Sequence, residues 1–116
     1  MRAIQFYRLS NGKSPIAEFL DALNSKQAQK VLWVLRLIED LETIPIQYFK
    51  KLVGTQLWEV RVQFGNDIFR LLGFFENGNL LILTHGFAKK TQKTPSQEIE
   101  LATKRMEEHL ARRRKQ

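Results

Sequence analysis

Three strand-like stretches, joined by two short turns, constrain this chain more than anything else in it. Leu57–Phe64 sets Trp58, Val60, Val62 and Phe64 on one face and Glu59, Arg61 and Gln63 on the other. That period of two is the pattern of a strand with one face in a core. Gly65-Asn66-Asp67 makes a turn, and residues 68–75 form a more continuously apolar strand interrupted by Arg70. Asn77-Gly78 turns the chain again, since both residues tolerate positive φ, and residues 80–87 return. The expectation is an antiparallel meander of three strands.

The flanks add helices. Residues 2–9 alternate, with Ile4 and Phe6 on one face, and read as a first strand. Ser14-Pro15 is a helix start, because Ser14 can cap free backbone N–H groups and Pro15 loses nothing at the first helical position. Ile16, Phe19, Leu20 and Leu23 give that helix one apolar stripe. After Asn24-Ser25 a second helix runs to about Glu42 with the stripe Ala28, Val31, Leu32, Leu35, Ile38 and Leu41, and the two read as an antiparallel hairpin. Ile44-Pro45-Ile46 ends it. Lys50-Lys51-Leu52-Val53-Gly54 reads as a basic patch leading into a loop. Thr94-Pro95-Ser96-Gln97 fits a capping box, with Thr94 as cap, ahead of a last helix whose inward stripe is Ile99, Ala102, Met106 and Leu110. Residues 110–116, rich in Arg, are expected to fray. The order β-α-α-β-β-β-α defines an α+β fold, a mainly antiparallel sheet packed on an N-terminal helix hairpin and a C-terminal helix. At 116 residues, 1–116 is read as a single domain.

The charge is lopsided. Nineteen Lys and Arg against 12 Asp and Glu leave a formal +7, a surplus that attracts polyanions, nucleic acid first, an anionic membrane surface second and an acidic protein third. There is no Cys, hence no disulfide framework and no thiol nucleophile. No signal-like segment opens the chain and no apolar run approaches the ~20 residues that span a bilayer. A cytoplasmic protein without a membrane partner is expected. No Gly-rich phosphate loop, nucleophile elbow or His and carboxylate cluster at metal spacing occurs, so neither a cofactor nor a metal is expected.

Candidate chemistry gathers on the meander. Between residues 77 and 97 there is no acidic residue, while His85, Lys89, Lys90 and Lys93 all fall there, ahead of a helix N-terminus that favours phosphate. Phe87 beside these cations suits base stacking. Lys50 and Lys51 add a second basic contact. Arg70 sits in an apolar run, where a charge is costly unless paired. It is either pinned by a carboxylate such as Glu59 or presented to an anion. Glu59 and Arg61 also read as an ordinary ion pair on an exposed sheet face, His109 as solvated, and Trp33 and Trp58 as core. RNA can be cut without metal when a base takes the 2′-OH proton, cations stabilise the phosphate and an acid protonates the leaving 5′ oxygen. Glu59, Arg61, Arg70, His85, Lys89 and Lys90 supply that inventory.

Leu57-Trp58-Glu59-Val60-Arg61, Ile68-Phe69-Arg70-Leu71 and the block from Thr84-His85-Gly86-Phe87-Ala88-Lys89-Lys90 to Thr94-Pro95 resemble the phage-derived, HigB-like branch of the RelE/ParE toxin superfamily. Glu98-Ile99-Glu100-Leu101-Ala102 continues the pattern, and the resemblance covers essentially the whole chain. It implies a RelE-like domain that acts as the toxin of a type II toxin–antitoxin pair, a metal-independent endoribonuclease cutting mRNA on the translating ribosome. The implied partners are mRNA, the ribosome and a helix-turn-helix antitoxin, with DNA reached only through the antitoxin complex. By the same resemblance Arg70 matches the strand arginine at the scissile phosphate, Lys89 and Lys90 the basic position after the last strand, and Arg61 a basic residue of the strand before. Glu59 departs from RelE, which is basic there, although a carboxylate is the base in some relatives. The C-terminal aromatic or His of several relatives has no match, and His85 is the substitute as acid. A ParE-like gyrase inhibitor and an inactive RNA- or antitoxin-binding domain are the alternatives.

Overall fold

The predicted meander is present, and it is the middle of a wider sheet. The computed structural model describes residues 1–89 and 93–115. In chain order these give β1 (Ala3–Phe6), α1 (Pro15–Ala22), α2 (Ser25–Asp40), β2 (Phe49–Lys51), β3 (Leu57–Phe64), β4 (Asp67–Glu76), β5 (Leu80–Ala88) and α3 (Ser96–Arg114). The sheet order is β1-β5-β4-β3-β2, with β1 parallel to β5 and every other pair antiparallel. The chain is thus an α+β single domain with three helices and a five-stranded mixed sheet among the described residues. Two elements differ from expectation. The basic patch at Lys50-Lys51 is a short edge strand rather than a loop, and α3 stays helical through the basic run to Arg114, where fraying was expected from residue 110.

The helix starts follow capping chemistry. The Ala17 N–H donates to Ser14 Oγ at 3.1 Å. Asn24 and Gln27 exchange hydrogen bonds of 2.9 and 3.1 Å, so the residue that interrupts the first helix also opens the second. Asn77 and Gly78 take φ of 53° and 75°, as a tight hairpin requires.

The sheet separates two cores. On one face α1 lies over β5 and α2 over β3, enclosing Ile16, Val31, Val34, Leu35, Ile38, Val60, Leu71 and Leu83. On the other, α3 covers Tyr7, Leu57, Leu72, Phe74 and Ile82 through Ala102 and Met106. The buried stripe of α2 uses Val34 where Leu32 was expected, leaving Leu32 and Trp33 facing solvent. Residues 31–35 are all apolar, so spacing alone admits either rotation; packing on Val60 and Val62 selects this one. Trp58 packs on the core as expected, stacked on Phe49 at 4.8 Å.

One irregularity decides what the α3 face carries. Leu72 pairs with His85 but Gly73 pairs with Leu83, so Thr84 is an extra residue in β5, a β-bulge. Before the bulge, Leu81 and Leu83 face the core under α1 and α2, which lie over different strands rather than against each other as the expected antiparallel hairpin would, and Ile82 faces α3. After it the phase is reversed. His85 and Phe87 turn to α3, and Gly86 turns to α1, where a Cβ would stand 2.8 Å from the Phe19 ring. The freed hydroxyl of Thr84 donates to the Leu72 carbonyl at 3.1 Å.

Candidate active site

Glu59 lies at the centre of the α3 face of β3 with no exposed surface. This is far from the exposed ion pair that alternation alone suggested. Arg61 Nε donates to Glu59 Oε1 at 3.0 Å, and Arg70 Nε stands 3.5 Å from the same oxygen. Thr94 Oγ1 donates to the other oxygen, Oε2. The register explains the convergence: Arg61 pairs with Arg70 across β3 and β4, and residue 59 is two positions along on the same face. Thr94, expected to cap α3, is instead spent on Glu59. Pro95 stands at the cap position and α3 opens without a side-chain cap.

Lys89 joins the group at the end of β5. Its N–H donates to the Ile68 carbonyl at 2.7 Å, and its side chain is buried. Burial first, and then the charges of Arg70 and Arg61, hold its ammonium below the ordinary lysine pKa, with Glu59 opposing them. Arg70 is likewise lowered, by burial first, against the pull of Glu59. Its Nε–H makes no well-directed hydrogen bond, because the 3.5 Å approach to Glu59 is an ion-pair contact of poor angle. Three cations therefore meet one carboxylate in a largely desolvated place. Such an excess of positive charge is stable when an anion completes it.

His85 belongs to a neighbouring constellation. Its Nε2 lies 3.1 Å from Glu98 Oε1 on α3, and its Nδ1 lies 3.1 Å from Thr84 Oγ1. Burial lowers its pKa, Glu98 raises it in opposition, and Arg105 adds to the lowering. Glu59, Leu72 and His85 occupy one row across three strands, so His85 is two strand spacings, about 10 Å, from Glu59. Both ring nitrogens are engaged within the protein. The half-buried Phe87 pairs with Arg70 in register, its ring 5.9 Å from that of His85.

The structure thus brings Glu59, Arg61, Arg70 and Lys89 together and places Phe87 beside them. Lys50 pairs with Glu59 in the ladder and shares its face at the sheet edge, while Lys51 pairs with Trp58. Lys93 is exposed, next to Thr94. Lys90 lies outside the described residues. Sequence reasoning missed Thr94 and Glu98 as partners of the site. Thr94 carried a misleading signal, since Thr-Pro before a helix also reads as a cap, and Glu98 carried none. His109, read as solvated, is buried with Nε2 3.1 Å from Glu76 Oε1. Among the described residues no three or more His, Asp or Glu side chains gather as metal ligands would, and no helix is long and apolar enough to cross a membrane.

The pattern is a family one. No curated protein matches the chain. The profile of the family described as phage derived protein Gp49-like (DUF891) matches residues 18–107, a span that holds every residue of the cluster. That family is associated with the toxins of toxin–antitoxin systems, which implies an antitoxin as partner. The chain belongs to the Gp49-like family of phage-derived proteins, within the RelE/HigB-like toxin superfamily.

Proposed function

We propose that this protein is the toxin of a type II toxin–antitoxin pair in the HigB-like manner, a metal-independent endoribonuclease that cuts mRNA on the translating ribosome and so stops growth. The observation that carries the reading is the desolvated excess of cations around Glu59, beside a lysine whose pKa burial and two arginines depress. A gyrase inhibitor acting by surface contact has no need of that arrangement.

In this reading Arg70 and Arg61 hold the non-bridging oxygens of the scissile phosphate and stabilise the charge that grows there. Lys89 in its neutral form takes the proton of the 2′-OH. That oxygen attacks the adjacent phosphorus, the bond from phosphorus to the 5′ oxygen breaks, and the products are a 2′,3′-cyclic phosphate and a 5′-hydroxyl. Glu59 is too fully engaged by Arg61, Arg70 and Thr94 to act as the base, and it is assigned the setting of the arginine pair. Phe87 offers a ring for a flanking base, and Lys50, Lys93 and Lys90 are assigned to the RNA backbone. His85 is the acid implied by the resemblance. It reaches the leaving 5′ oxygen only when substrate takes the place of Glu98 on Nε2; otherwise it fixes the first turn of α3. The antitoxin is proposed to be a helix-turn-helix protein, through which alone the toxin meets DNA, and the site of action is the cytoplasm.

The experiment is induction of the chain in a bacterial host, followed by primer extension on a reporter mRNA. Cuts inside translated regions are expected, and Arg70→Ala should abolish them while the protein stays folded by circular dichroism. Intact message with damaged DNA would favour gyrase and sink the nuclease reading. Absence of any toxicity would leave a binding domain only.

A further inference from the structure

The outward face of α2 is largely exposed, yet it is not a plain solvated face. Leu32 is 50% and Trp33 48% exposed, adjacent on the helix and away from the core that Val31, Val34, Leu35 and Ile38 enter. Trp33 is held in place: the Tyr48 ring meets it edge-on at 5.8 Å, and Lys30 Nζ sits 5.1 Å from its centroid. An exposed tryptophan fixed in this way keeps an ordered apolar surface in water. Ile46, two residues before Tyr48, adds a third large side chain at 66% exposure. Single exposed apolar residues are ordinary, but an ordered aromatic with an aliphatic neighbour marks an interaction surface.

The charge around it names the kind of partner. Lys26, Lys30 and Arg36 lie on the outward side of α2 within one or two turns of Trp33, and the helix carries no carboxylate before Glu39. A partner must therefore present apolar side chains flanked by acidic ones. RNA would use the cations and the Trp33 ring, but it has no use for exposed Leu32 and Ile46, and Lys30 already lies over that ring. The loop is also tied to the site. Arg61 Nη1 donates to the Ile46 carbonyl at 3.5 Å, and its N–H to the Tyr48 carbonyl at 2.8 Å.

We propose that Leu32, Trp33 and Tyr48, ringed by Lys26, Lys30 and Arg36, form the docking surface for an acidic amphipathic helical segment of the antitoxin. The name of the partner rests on the toxin reading; the chemistry of the surface does not. Carboxylates on one side of the segment meet the three cations, and aliphatic side chains cover Leu32 and Trp33. The segment lies against the loop that holds Arg61, beside the site rather than remote from it.

The test uses the purified full chain and a synthetic amphipathic helical peptide with Leu on one face and Glu on the other, alongside the same peptide with Lys for Glu. Calorimetry on the wild-type chain should show saturable binding of the Glu peptide and none of the Lys peptide. Lys26→Glu with Lys30→Glu should weaken it about tenfold, and Leu32→Ser with Trp33→Ser should remove it. In Trp58→Phe, where Trp33 is the sole tryptophan, the peptide should shift the emission to the blue. No binding, or binding that survives the Leu32 and Trp33 changes, overturns the proposal. Oligouridylate binding that Leu32→Ser with Trp33→Ser removes assigns the face to RNA instead. A shift that grows with protein concentration alone, with a dimer by light scattering, assigns it to a second copy. Cleavage of mRNA in translating cells is measured separately by the primer extension described above, so failure of the docking surface and failure of the nuclease reading are told apart.

Discussion

Glu59 has two oxygens and three neighbours that want them: Arg61, Arg70 and Thr94. Removing the carboxylate leaves two arginines and a buried lysine in mutual repulsion, so Glu59→Ala should cost about 3–5 kcal/mol of stability, read by urea denaturation. Glu59→Gln should lose activity as well, because the arginines are no longer drawn to one point; full activity in a folded Gln variant would show that Glu59 does not organise them. Lys89 offers a cleaner separation. As a base it works when neutral, so in a His85→Gln chain, where the acid no longer titrates, the residual cleavage should rise with pH and level off below the ordinary lysine pKa of 10.5, because its own is lowered. Lys89→Arg keeps the charge but cannot lose its proton near neutrality. It should bind RNA normally and cut it about 10²–10⁴ times more slowly. Equal losses of binding and cutting would make Lys89 a phosphate contact only. None of this pairing is written in adjacent sequence. Alternation put Glu59 and Arg61 on one face, and the cost of a charge in an apolar run marked Arg70, but burial of the whole group depends on α3 and Thr94, which come from elsewhere in the chain.

At the scale of elements, what could be read from the sequence tracks how local the signal is. The meander, the Asn77-Gly78 hairpin and the Ser14-Pro15 helix start depend on neighbours two to four residues apart, and all are present. The strand β2 is only three residues long and exists because β3 offers it an edge. Spacing reads the stripe of α2 through Leu32, and Trp33 as core, because five successive apolar residues satisfy two different stripes; the structure buries Val34 instead and exposes both. The bulge at Thr84 was invisible, since the apolar run 80–83 has no alternation whose break could mark it. A side chain at Gly86 would meet the Phe19 ring of α1. Gly86→Ala should therefore destabilise by about 1–3 kcal/mol, and Phe19→Ala in the same chain should relieve part of that. Additive losses in a thermal-melt cycle would show that the contact is not what excludes a side chain there.

For the molecule as a whole, α3 is fastened at both ends. Glu98 meets His85 near its start, and His109 and Arg113 meet the buried Glu76 near its finish. Sequence reading left His109 in solvent because its partner is 33 positions away. Burial by itself would raise the Glu76 pKa, but the hydrogen bond and charge of His109 with the charge of Arg113 outweigh it, and the net shift is downward from 4.5. A carboxylate with a lowered folded pKa contributes stability that is complete above its unfolded value and is lost as pH falls through the folded one. Melting temperature should therefore drop below about pH 4.3, and Glu76→Gln should flatten that acid limb while lowering the plateau. An unchanged acid limb would mean that the far clasp of α3 carries no weight.

The extra residue at Thr84 has a consequence for comparing this chain with its kin. Everything from His85 onward in β5 has opposite parity to everything before it, so odd-numbered positions point one way up to residue 83 and the other way from 85. A relative with a regular strand here would need a one-residue gap to superpose on this one. Aligned without it, each of its downstream side chains would be matched to a neighbour on the wrong side of the sheet. The counterpart of His85 or Phe87 in such a relative should be sought by which helix it faces, not by its column.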